Sequence, residues 1–297
     1  MVSAGVQTMI EASVRTFRFI RFSHTIFALP FALGAAFVAA AGWPEARVTG
    51  LIVLAMVFAR TAAMAFNRVV DWQIDQRNPR TQERHTLISR TGAIALVVAS
   101  AAAFVATTWF INALCFWLSP VALAIVFFYS LTKRFTSFSH FFLGLALSVS
   151  PVGAWLAIRG GFEFAPLVLA LAVLLWVAGF DLIYATQDHE FDRAEGLHSL
   201  VVRWGVPRSL AAAQVLHWAM LVVLVAFGWF AGLGIAYFSG LVLVAGALVF
   251  EHWSARKEDL AAINHAFFTS NAVVGVIFLA SIFLDQVMLR QGAGLLR

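Results

Sequence analysis

Residues 67–75 read Asn67-Arg68-Val69-Val70-Asp71-Trp72-Gln73-Ile74-Asp75, and residues 181–193 read Asp181-Leu182-Ile183-Tyr184-Ala185-Thr186-Gln187-Asp188-His189-Glu190-Phe191-Asp192-Arg193. Each stretch ends a long apolar run, and a basic loop follows each of them. A charged side chain at membrane depth costs about 2.5–3.5 kcal/mol or more, so it usually faces an interior cavity and serves a function. Five aspartates gathered at two such places therefore predict a functional site within a membrane protein.

The composition excludes the soluble globular classes. Of the 297 residues, 62% are hydrophobic and 12% are charged, and apolar runs of roughly 18 residues or more recur along the whole length. We therefore predict an all-α, polytopic membrane protein. The single cysteine, Cys115, excludes an intrachain disulfide and argues against a cysteine-based metal site. The positive balance does not require nucleic acid, because the Lys and Arg residues lie in short loops between apolar runs.

Gly, Pro and polar residues divide the chain into nine predicted spans. The spans are residues 24–42, 51–73, 93–110, 113–131, 141–158, 165–186, 209–230, 235–252 and 266–287. The third and fourth are almost contiguous, which predicts a tight hairpin. Residues 1–22 alternate Arg15, Arg18 and Arg21 with aromatic residues, which predicts an amphipathic arm at the membrane surface.

The distribution of positive charge predicts the orientation. Fourteen of the twenty Lys and Arg residues fall in segments on one side, four fall on the other, and Arg60 and Arg68 lie within a span. Because basic loops stay in the cytoplasm, we expect nine helices with the N-terminus inside and the C-terminus outside. Both acidic stretches then lie on the cytoplasmic side of the inner membrane.

The two acidic stretches also predict an internal repeat. They are four helices apart, and equivalent positions are separated by about 115 residues. We expect one domain over residues 1–297, with two pseudo-repeated four-helix units around a central cavity. Residues 76–90 and 189–208 would form cytoplasmic loops over that site.

Helical spacing brings the polar groups of each stretch together. Asn67, Asp71 and Asp75 are spaced i, i+4, i+8, and Asp181, Asp188 and Asp192 are spaced i, i+7, i+11. Carboxylate and amide oxygens favour a hard cation such as Mg²⁺. Basic residues follow both stretches, and positive side chains beside a carboxylate-bound metal suit a diphosphate. An apolar cavity beside it would accept a lipid, so the residues indicate a lipid diphosphate as ligand. A cation-coupled transporter is the alternative, since intramembrane carboxylates also mark ion pathways.

The same motifs resemble those of the UbiA superfamily of intramembrane aromatic prenyltransferases. The first stretch is similar to the family's N-x-x-x-D-x-x-x-D, and the second to its D-x-x-Y-A-x-x-D-x-x-x-D-R. Residues 129–136, Tyr129-Ser130-Leu131-Thr132-Lys133-Arg134-Phe135-Thr136, resemble its Y-x-x-x-K-R-x-T segment. The resemblance extends from about residue 18 to residue 288 and is greatest to the 4-hydroxybenzoate polyprenyltransferase branch.

The resemblance implies a role for each matching residue. Two Mg²⁺ ions would be held by Asn67, Asp71, Asp75, Asp188 and Asp192. The diphosphate would be gripped by Arg80, Arg84, Lys133, Arg134 and Arg193, together with Asn67. Asp181 and Tyr184 would complete the catalytic set, and Phe66, Trp72 and Phe180 are candidates to stabilise an allylic cation.

The implied reaction transfers a polyprenyl chain to an aromatic acceptor for ubiquinone or a related quinone. 4-Hydroxybenzoate, prenylated ortho to its hydroxyl, is the expected acceptor; a precursor of the futalosine menaquinone route, haem or a chlorin is the alternative. Residues 85–89 depart from the family pattern, so this loop would bear on the choice of acceptor. We expect His24, near the cytoplasmic end of the first predicted span, to be a satisfied polar group or an interface residue, with a role near the acceptor as the alternative.

Overall fold

The computed structural model describes residues 14–16, 18–19, 27–255 and 260–289. Regular structure within these ranges is helical throughout. The helices in chain order are α1 (Leu29–Ala40), α2 (Ala46–Val70), α3 (Trp72–Arg77), α4 (Arg90–Trp109), α5 (Ala113–Thr132), α6 (Ser139–Arg159), α7 (Phe164–Ala185), α8 (His189–Ala194), α9 (Leu200–Trp204), α10 (Val206–Phe230), α11 (Ile235–Ala255) and α12 (Leu260–Phe283). Tight turns of 3₁₀ helix occupy Gln82–Thr86 and Thr186–Asp188, and a π-helical segment, Leu284–Leu289, follows α12.

Among the described residues, eight helices are long and apolar enough to cross a membrane, namely α2, α4 to α7 and α10 to α12. This confirms the predicted all-α membrane fold. The predicted first span, residues 24–42, contains α1, whose 12 residues rise only about 18 Å. That is shorter than a hydrocarbon core of roughly 30 Å, and residues 24–26 lie outside the described ranges.

The long helices follow one another around the bundle. Contacts join α2 to α4, α4 to α5, α5 to α6, α6 to α7, α7 to α10, α10 to α11, and α11 to α12. The short helix α1 packs against both α6 and α12. Its Phe31 is fully buried between Trp176 of α7 and Phe278 of α12, with ring centroids 4.8 and 4.4 Å away. An aromatic cluster at α1 thus joins α12, the last helix of the series, to α7 near its middle.

The predicted tight hairpin is confirmed between α4 and α5. Asn112 caps α5, since its Oδ1 accepts a hydrogen bond from the Cys115 backbone N at 2.8 Å. Its Nδ2 donates to the Leu156 carbonyl of α6 at 2.9 Å. One side chain therefore ends the turn and also binds the hairpin to the next helix.

The predicted N-terminal arm is described only at residues 14–16 and 18–19, which are helical. Arg15 and Arg18 are exposed, whereas Phe19 is buried in a cluster with Met64 and Ala93. This arrangement agrees with an amphipathic segment. Residues 20–26, which include Arg21 and His24, lie outside the described part of the chain.

Gly144 allows α6 to approach α7 closely. A Cβ at Gly144 would lie 2.5 Å from the Leu174 carbonyl oxygen, a backbone atom that cannot move aside. We expect Gly144→Ala to destabilise the protein by about 1–3 kcal/mol, as overpacking does, which thermal unfolding in detergent would measure. Gly153→Ala on the same helix is the matched control, because no atom lies within 4 Å of its Cβ position. Equal stability of the two variants would contradict the close contact.

Candidate active site

The first acidic motif lies at a bend between two helices. α2 ends at Val70, and Asp71 leaves the helical conformation with φ −89° and ψ 12°. Two i to i+4 backbone hydrogen bonds nevertheless bridge the bend, from Asp71 N to Asn67 O at 2.9 Å and from Asp75 N to Asp71 O at 2.8 Å. The Asn67 Nδ2 donates to Asp71 Oδ2 at 3.3 Å. Asn67, Asp71 and Asp75 therefore face the same cavity.

Basic side chains pair with both carboxylates of this motif. Asp71 is 2% exposed, and the Lys133 Nζ lies 2.9 Å from its Oδ2. Arg84 Nη1 lies 3.1 Å from Asp75 Oδ1, and Arg68 Nη1 lies 3.4 Å from its Oδ2. Burial lowers the pKa of Lys133, but the charge and hydrogen bond of Asp71 outweigh this effect and hold that pKa above its ordinary value.

The second motif also coincides with a break in a helix. α7 ends at Ala185, a 3₁₀ turn covers Thr186–Asp188, and α8 begins at His189. The i, i+7, i+11 spacing assumed one continuous helix through Asp192, and the structure shows two helices joined by a turn. Asp181, Asp188 and Asp192 still line the same cavity as the first motif.

Arg80 joins the two motifs. Its guanidinium binds both oxygens of Asp188: Nε donates to Oδ1 at 2.8 Å, and Nη2 donates to Oδ2. Its Nη1 donates to the Tyr184 hydroxyl at 2.6 Å. The guanidinium carbon also lies 5.0 Å from the centre of the Tyr184 ring. Burial lowers the pKa of Arg80, but its contacts with Asp188 and Tyr184 outweigh this effect and hold the pKa above its ordinary value. Asn78 Nδ2 adds a contact to Asp188 at 3.4 Å.

Two of the predicted diphosphate ligands lie outside the cavity lining. Arg193 is exposed on α8 and does not reach the cavity. Arg134 lies at the cavity edge, where its Nη2 donates to the Val70 carbonyl at 2.6 Å and lies 3.4 Å from Asp71 Oδ1. The other predicted site residues all line the cavity. They are Asn67, Asp71, Asp75, Arg80, Arg84, Lys133, Asp181, Tyr184, Asp188 and Asp192.

Asp181 differs from the other carboxylates because its partner is a histidine. The His140 Nδ1 on α6 lies 2.7 Å from Asp181 Oδ2 on α7. His140 is 3% exposed, and within the described residues its Nε2 is buried with no hydrogen-bond partner. His140 carries no signal of its own in the sequence, where it is the second residue of an apolar helix.

The polar cavity has a volume of about 260 Å³. Its lining contains five carboxylates and five permanently basic side chains. The carboxylates are Asp71, Asp75, Asp181, Asp188 and Asp192, and the basic residues are Arg60, Arg68, Arg80, Arg84 and Lys133. Because these charges balance, the cavity suits a ligand that brings both a cation and an anion.

A larger, apolar cavity of about 490 Å³ adjoins the polar one. Arg60, Tyr129 and Leu147 line both, so they mark the boundary between them. Val121 and Leu167, which also line the apolar cavity, are 54% and 49% exposed. The apolar cavity therefore opens sideways on the outer surface of the helix bundle.

Arg60 is a second residue whose place in the site could not be predicted. Its Nε is buried, and within the described part of the chain Arg60 makes neither a hydrogen bond nor an ion pair. A guanidinium without a carboxylate partner at the boundary of the two cavities is a site for an anion. The signal in the sequence was a lone arginine inside an apolar run, a type of residue that usually has a function.

Only one of the three predicted aromatic candidates reaches the polar cavity. Phe180 lines it, whereas Phe66 stacks on Phe127 with centroids 4.5 Å apart, and neither Phe66 nor Trp72 lines the cavity. Residues 85–89 also stay outside both cavities. The Ser89 hydroxyl caps α4, with the Gly92 backbone N donating to it at 3.1 Å.

The donor set fits a hard divalent cation. The candidate ligands Asn67, Asp71, Asp75, Asp188 and Asp192 offer only amide and carboxylate oxygens, the atoms that Mg²⁺ prefers. Across the residues that the structure describes, no three His, Cys, Asp or Glu side chains form a ready metal site. Lys133, Arg84 and Arg80 hold three of the carboxylates instead. An anionic ligand that drew these cations away would release the carboxylates to a metal.

Comparison with known sequences gives consistent matches. The model of the UbiA prenyltransferase family matches residues 28–281. The 4-hydroxybenzoate octaprenyltransferase of Alkalilimnicola ehrlichii is 31% identical over 245 residues, which cover 82% of this chain and 83% of that protein. The protein of the same name from Vibrio cholerae is 31% identical over 259 residues, covering 85% and 89%.

Solved structures share the fold. A UbiA homolog from Aeropyrum pernix K1 superposes with a TM-score of 0.80 at 33% identity, covering 88% of this chain and 97% of that one. A UbiA homolog from Archaeoglobus fulgidus bound to GPP and Mg²⁺ superposes with a TM-score of 0.70 at 22% identity, covering 91% and 98%. The family model and the first structure thus agree over most of the chain.

Proposed function

Because this chain belongs to the UbiA prenyltransferase family, we propose that it transfers a polyprenyl chain from an allylic polyprenyl diphosphate to 4-hydroxybenzoate in quinone biosynthesis. Family membership makes the chain a multi-pass membrane enzyme that transfers alkyl groups other than methyl, and its relatives support an aromatic acceptor. The transporter alternative is thereby set aside. One observation carries the proposal: both acidic motifs and five basic residues line one polar cavity that adjoins an apolar one.

The polar cavity would receive the diphosphate. Arg80, Arg84 and Lys133 would exchange their carboxylate partners for diphosphate oxygens, since charge-assisted hydrogen bonds to an anion are among the strongest polar contacts. Mg²⁺ held by Asn67, Asp71, Asp75, Asp188 and Asp192 would neutralise the leaving pyrophosphate and so favour cleavage of the C–O bond.

The apolar cavity would receive the prenyl chain. Its lining is almost entirely apolar, and it reaches the polar cavity at Tyr129 and Leu147. A diphosphate in the polar cavity would therefore have its chain in the apolar one. The sideways opening near Val121 and Leu167 would let a long chain continue into the lipid.

The reaction would join the two substrates at the boundary of the cavities. Cleavage of the C–O bond leaves an allylic cation, and Phe180 would stabilise this cation through its π face. The ring carbon ortho to the acceptor hydroxyl would then form the new C–C bond, and loss of the ring proton would restore aromaticity. The surrounding helices would keep water from the cation.

Arg60 supports a carboxylated acceptor. Its guanidinium lies at the boundary of the two cavities, where the allylic carbon of a bound donor would also lie. Among the described residues it has no carboxylate partner, unlike Arg68, Arg80 and Arg84. The carboxylate of 4-hydroxybenzoate would supply that partner and fix which ring carbon faces the donor.

We also propose that the site faces the cytoplasm, with the N-terminus inside. The motifs close α2 and α7 at one end of the bundle, and the basic loops that follow them lie at the same end. An excess of Lys and Arg in short loops supports the cytoplasmic side.

A panel of acceptors tests the acceptor assignment. At a fixed donor, membranes with this protein should prenylate 4-hydroxybenzoate, and product mass should report the ring and the chain together. Arg60→Gln should lower transfer to 4-hydroxybenzoate by about 100-fold, because a bidentate carboxylate contact in a low-dielectric site is lost. The methyl ester of 4-hydroxybenzoate has no carboxylate, so we expect the wild type to use it poorly. Arg60→Gln should lower transfer to this ester far less than transfer to the acid.

Two results of these experiments would contradict the proposed acceptor or the role of Arg60. Transfer to a naphthoquinone precursor, haem or a chlorin in place of 4-hydroxybenzoate would replace the proposed acceptor with that alternative. Equal losses by Arg60→Gln on the acid and on its ester would show that Arg60 does not contact the carboxylate.

A further inference from the structure

Asp181 differs from the candidate metal ligands of the cavity in its position and in its partner. Asp71, Asp75 and Asp188 each form an ion pair with a lysine or an arginine. Asp181 pairs with His140 alone among the described residues, and that contact uses Oδ2. Its side chain is 25% exposed to the cavity. The Asp181 carboxylate therefore keeps one oxygen, Oδ1, outside that contact in a side chain that lines the cavity.

His140 fixes the direction of that carboxylate. The 2.7 Å contact joins α6 to α7, and burial of the imidazole leaves it little freedom to rotate. The second ring nitrogen of His140, Nε2, is buried with no hydrogen-bond partner in the described residues. Such an unpaired buried group is uncommon in proteins and calls for a reason.

The position of Asp181 agrees with the acceptor side of the site. Asp181 lies within α7, whereas Asp188 lies beyond the end of that helix, where the diphosphate would bind. Phe180 and Phe27 line the cavity beside it, with ring centroids 6.0 Å apart. The carboxylate and two aromatic rings would thus surround an aromatic acceptor.

Resting on the proposed function, we infer that Asp181 is the base that accepts the acceptor's phenolic proton, and that His140 is the residue that positions it. As the prenyl C–O bond breaks and pyrophosphate leaves, the O–H electron pair moves into the ring and the new C–C bond forms. The phenolic proton passes to Asp181, which leaves a neutral dienone. The ring proton then passes to pyrophosphate, and protonated Asp181 returns its proton to the oxygen.

Two variants at His140 distinguish positioning from mere packing. His140→Leu removes the donor and should lower kcat by about 100-fold, the usual effect of a misplaced catalytic group. His140→Asn retains an N–H at the same distance from Cβ and should recover most of that loss. Affinity for a non-reacting donor analogue, measured on purified protein, should be unchanged in both variants. Glu163→Gln, an exposed carboxylate paired with Arg159, is the control for Asp181→Asn.

Acceptor acidity provides the second measurement. Asp181→Asn should lower transfer to 4-hydroxybenzoate by about 10²–10⁴-fold, as loss of a general base does. With 3-fluoro-4-hydroxybenzoate, whose phenol ionises more readily, the ratio of wild-type to variant rate should fall at least several-fold. A ratio that does not change with acidity, or equal losses in His140→Leu and His140→Asn, would overturn the inference. If the wild type prenylates no phenol, the proposed function itself fails.

Discussion

Replacing Asp71 with Asn is expected to lower prenyl transfer by about 10³-fold or more. The substitution removes one carboxylate ligand of the Mg²⁺ that would neutralise the leaving pyrophosphate. Asp71 is the most buried carboxylate of the polar cavity, at 2% exposure. Lys133 and Arg134 both contact it, and Lys133 is one of the cations that the diphosphate would need. Asparagine keeps the shape of the side chain but removes the negative charge.

The substitution is designed to separate chemistry from folding. The Lys133 side chain is 34% exposed, so it can turn to solvent when its partner loses charge and should not destabilise the bundle strongly. Transfer of a radiolabelled prenyl chain in membranes gives the activity, and thermal unfolding in detergent gives the stability. Glu163→Gln removes an exposed carboxylate at the N-terminal end of α7, opposite the end that carries the second motif, and should leave activity and stability unchanged. Wild-type transfer by Asp71→Asn would refute the proposed site.

The sequence predicted the helices well because lipid leaves the chain few choices. Without water, backbone groups in a membrane must be satisfied within each segment, so a long apolar run forms a helix. α5 was expected at residues 113–131 and occupies Ala113–Thr132, and α7 was expected at 165–186 and occupies Phe164–Ala185. α1 is the exception, since its apolar run is as long as the others but its described helix has 12 residues.

The sequence predicted most of the residues of the site, but it did not predict which basic residue pairs with which carboxylate. Charged residues in apolar runs identified both motifs, because burial of a charge needs a reason. Which cation meets which carboxylate depends on contacts between distant helices, such as Arg80 with Asp188, 108 positions apart. The helix breaks at Asp71 and at Thr186–Asp188 contain no Pro or Gly, so the sequence does not predict them. The role of His140 depends on the contact between α6 and α7, and the role of Arg60 depends on its place between the two cavities, and neither can be deduced from the sequence.

Donor and Mg²⁺ are expected to bind cooperatively, with Mg²⁺ tightening the donor by about 100-fold. The cavity lining contains five carboxylates and five basic side chains, and most are already paired with one another. A diphosphate alone would have to take Lys133 and Arg84 from their aspartates and leave those charges buried. A metal alone would have to displace the same cations. Together the two ligands would give new partners to both the displaced cations and the released aspartates, so each ligand lowers the cost of binding the other.

Calorimetry with a thiolodiphosphate analogue of the donor, whose C–S bond does not ionise, measures this coupling without turnover. Lys133→Gln provides the internal comparison, because it removes the cation that occupies Asp71. In this variant Mg²⁺ alone should bind more tightly than in the wild type, while the donor should bind more weakly and the coupling should shrink. Chelation by the free diphosphate in solution affects both proteins equally, so it cannot produce a difference between them. Equal donor affinity with and without Mg²⁺ in the wild type would mean that the carboxylates and cations act independently, and the exchange of partners proposed for this cavity would then be wrong.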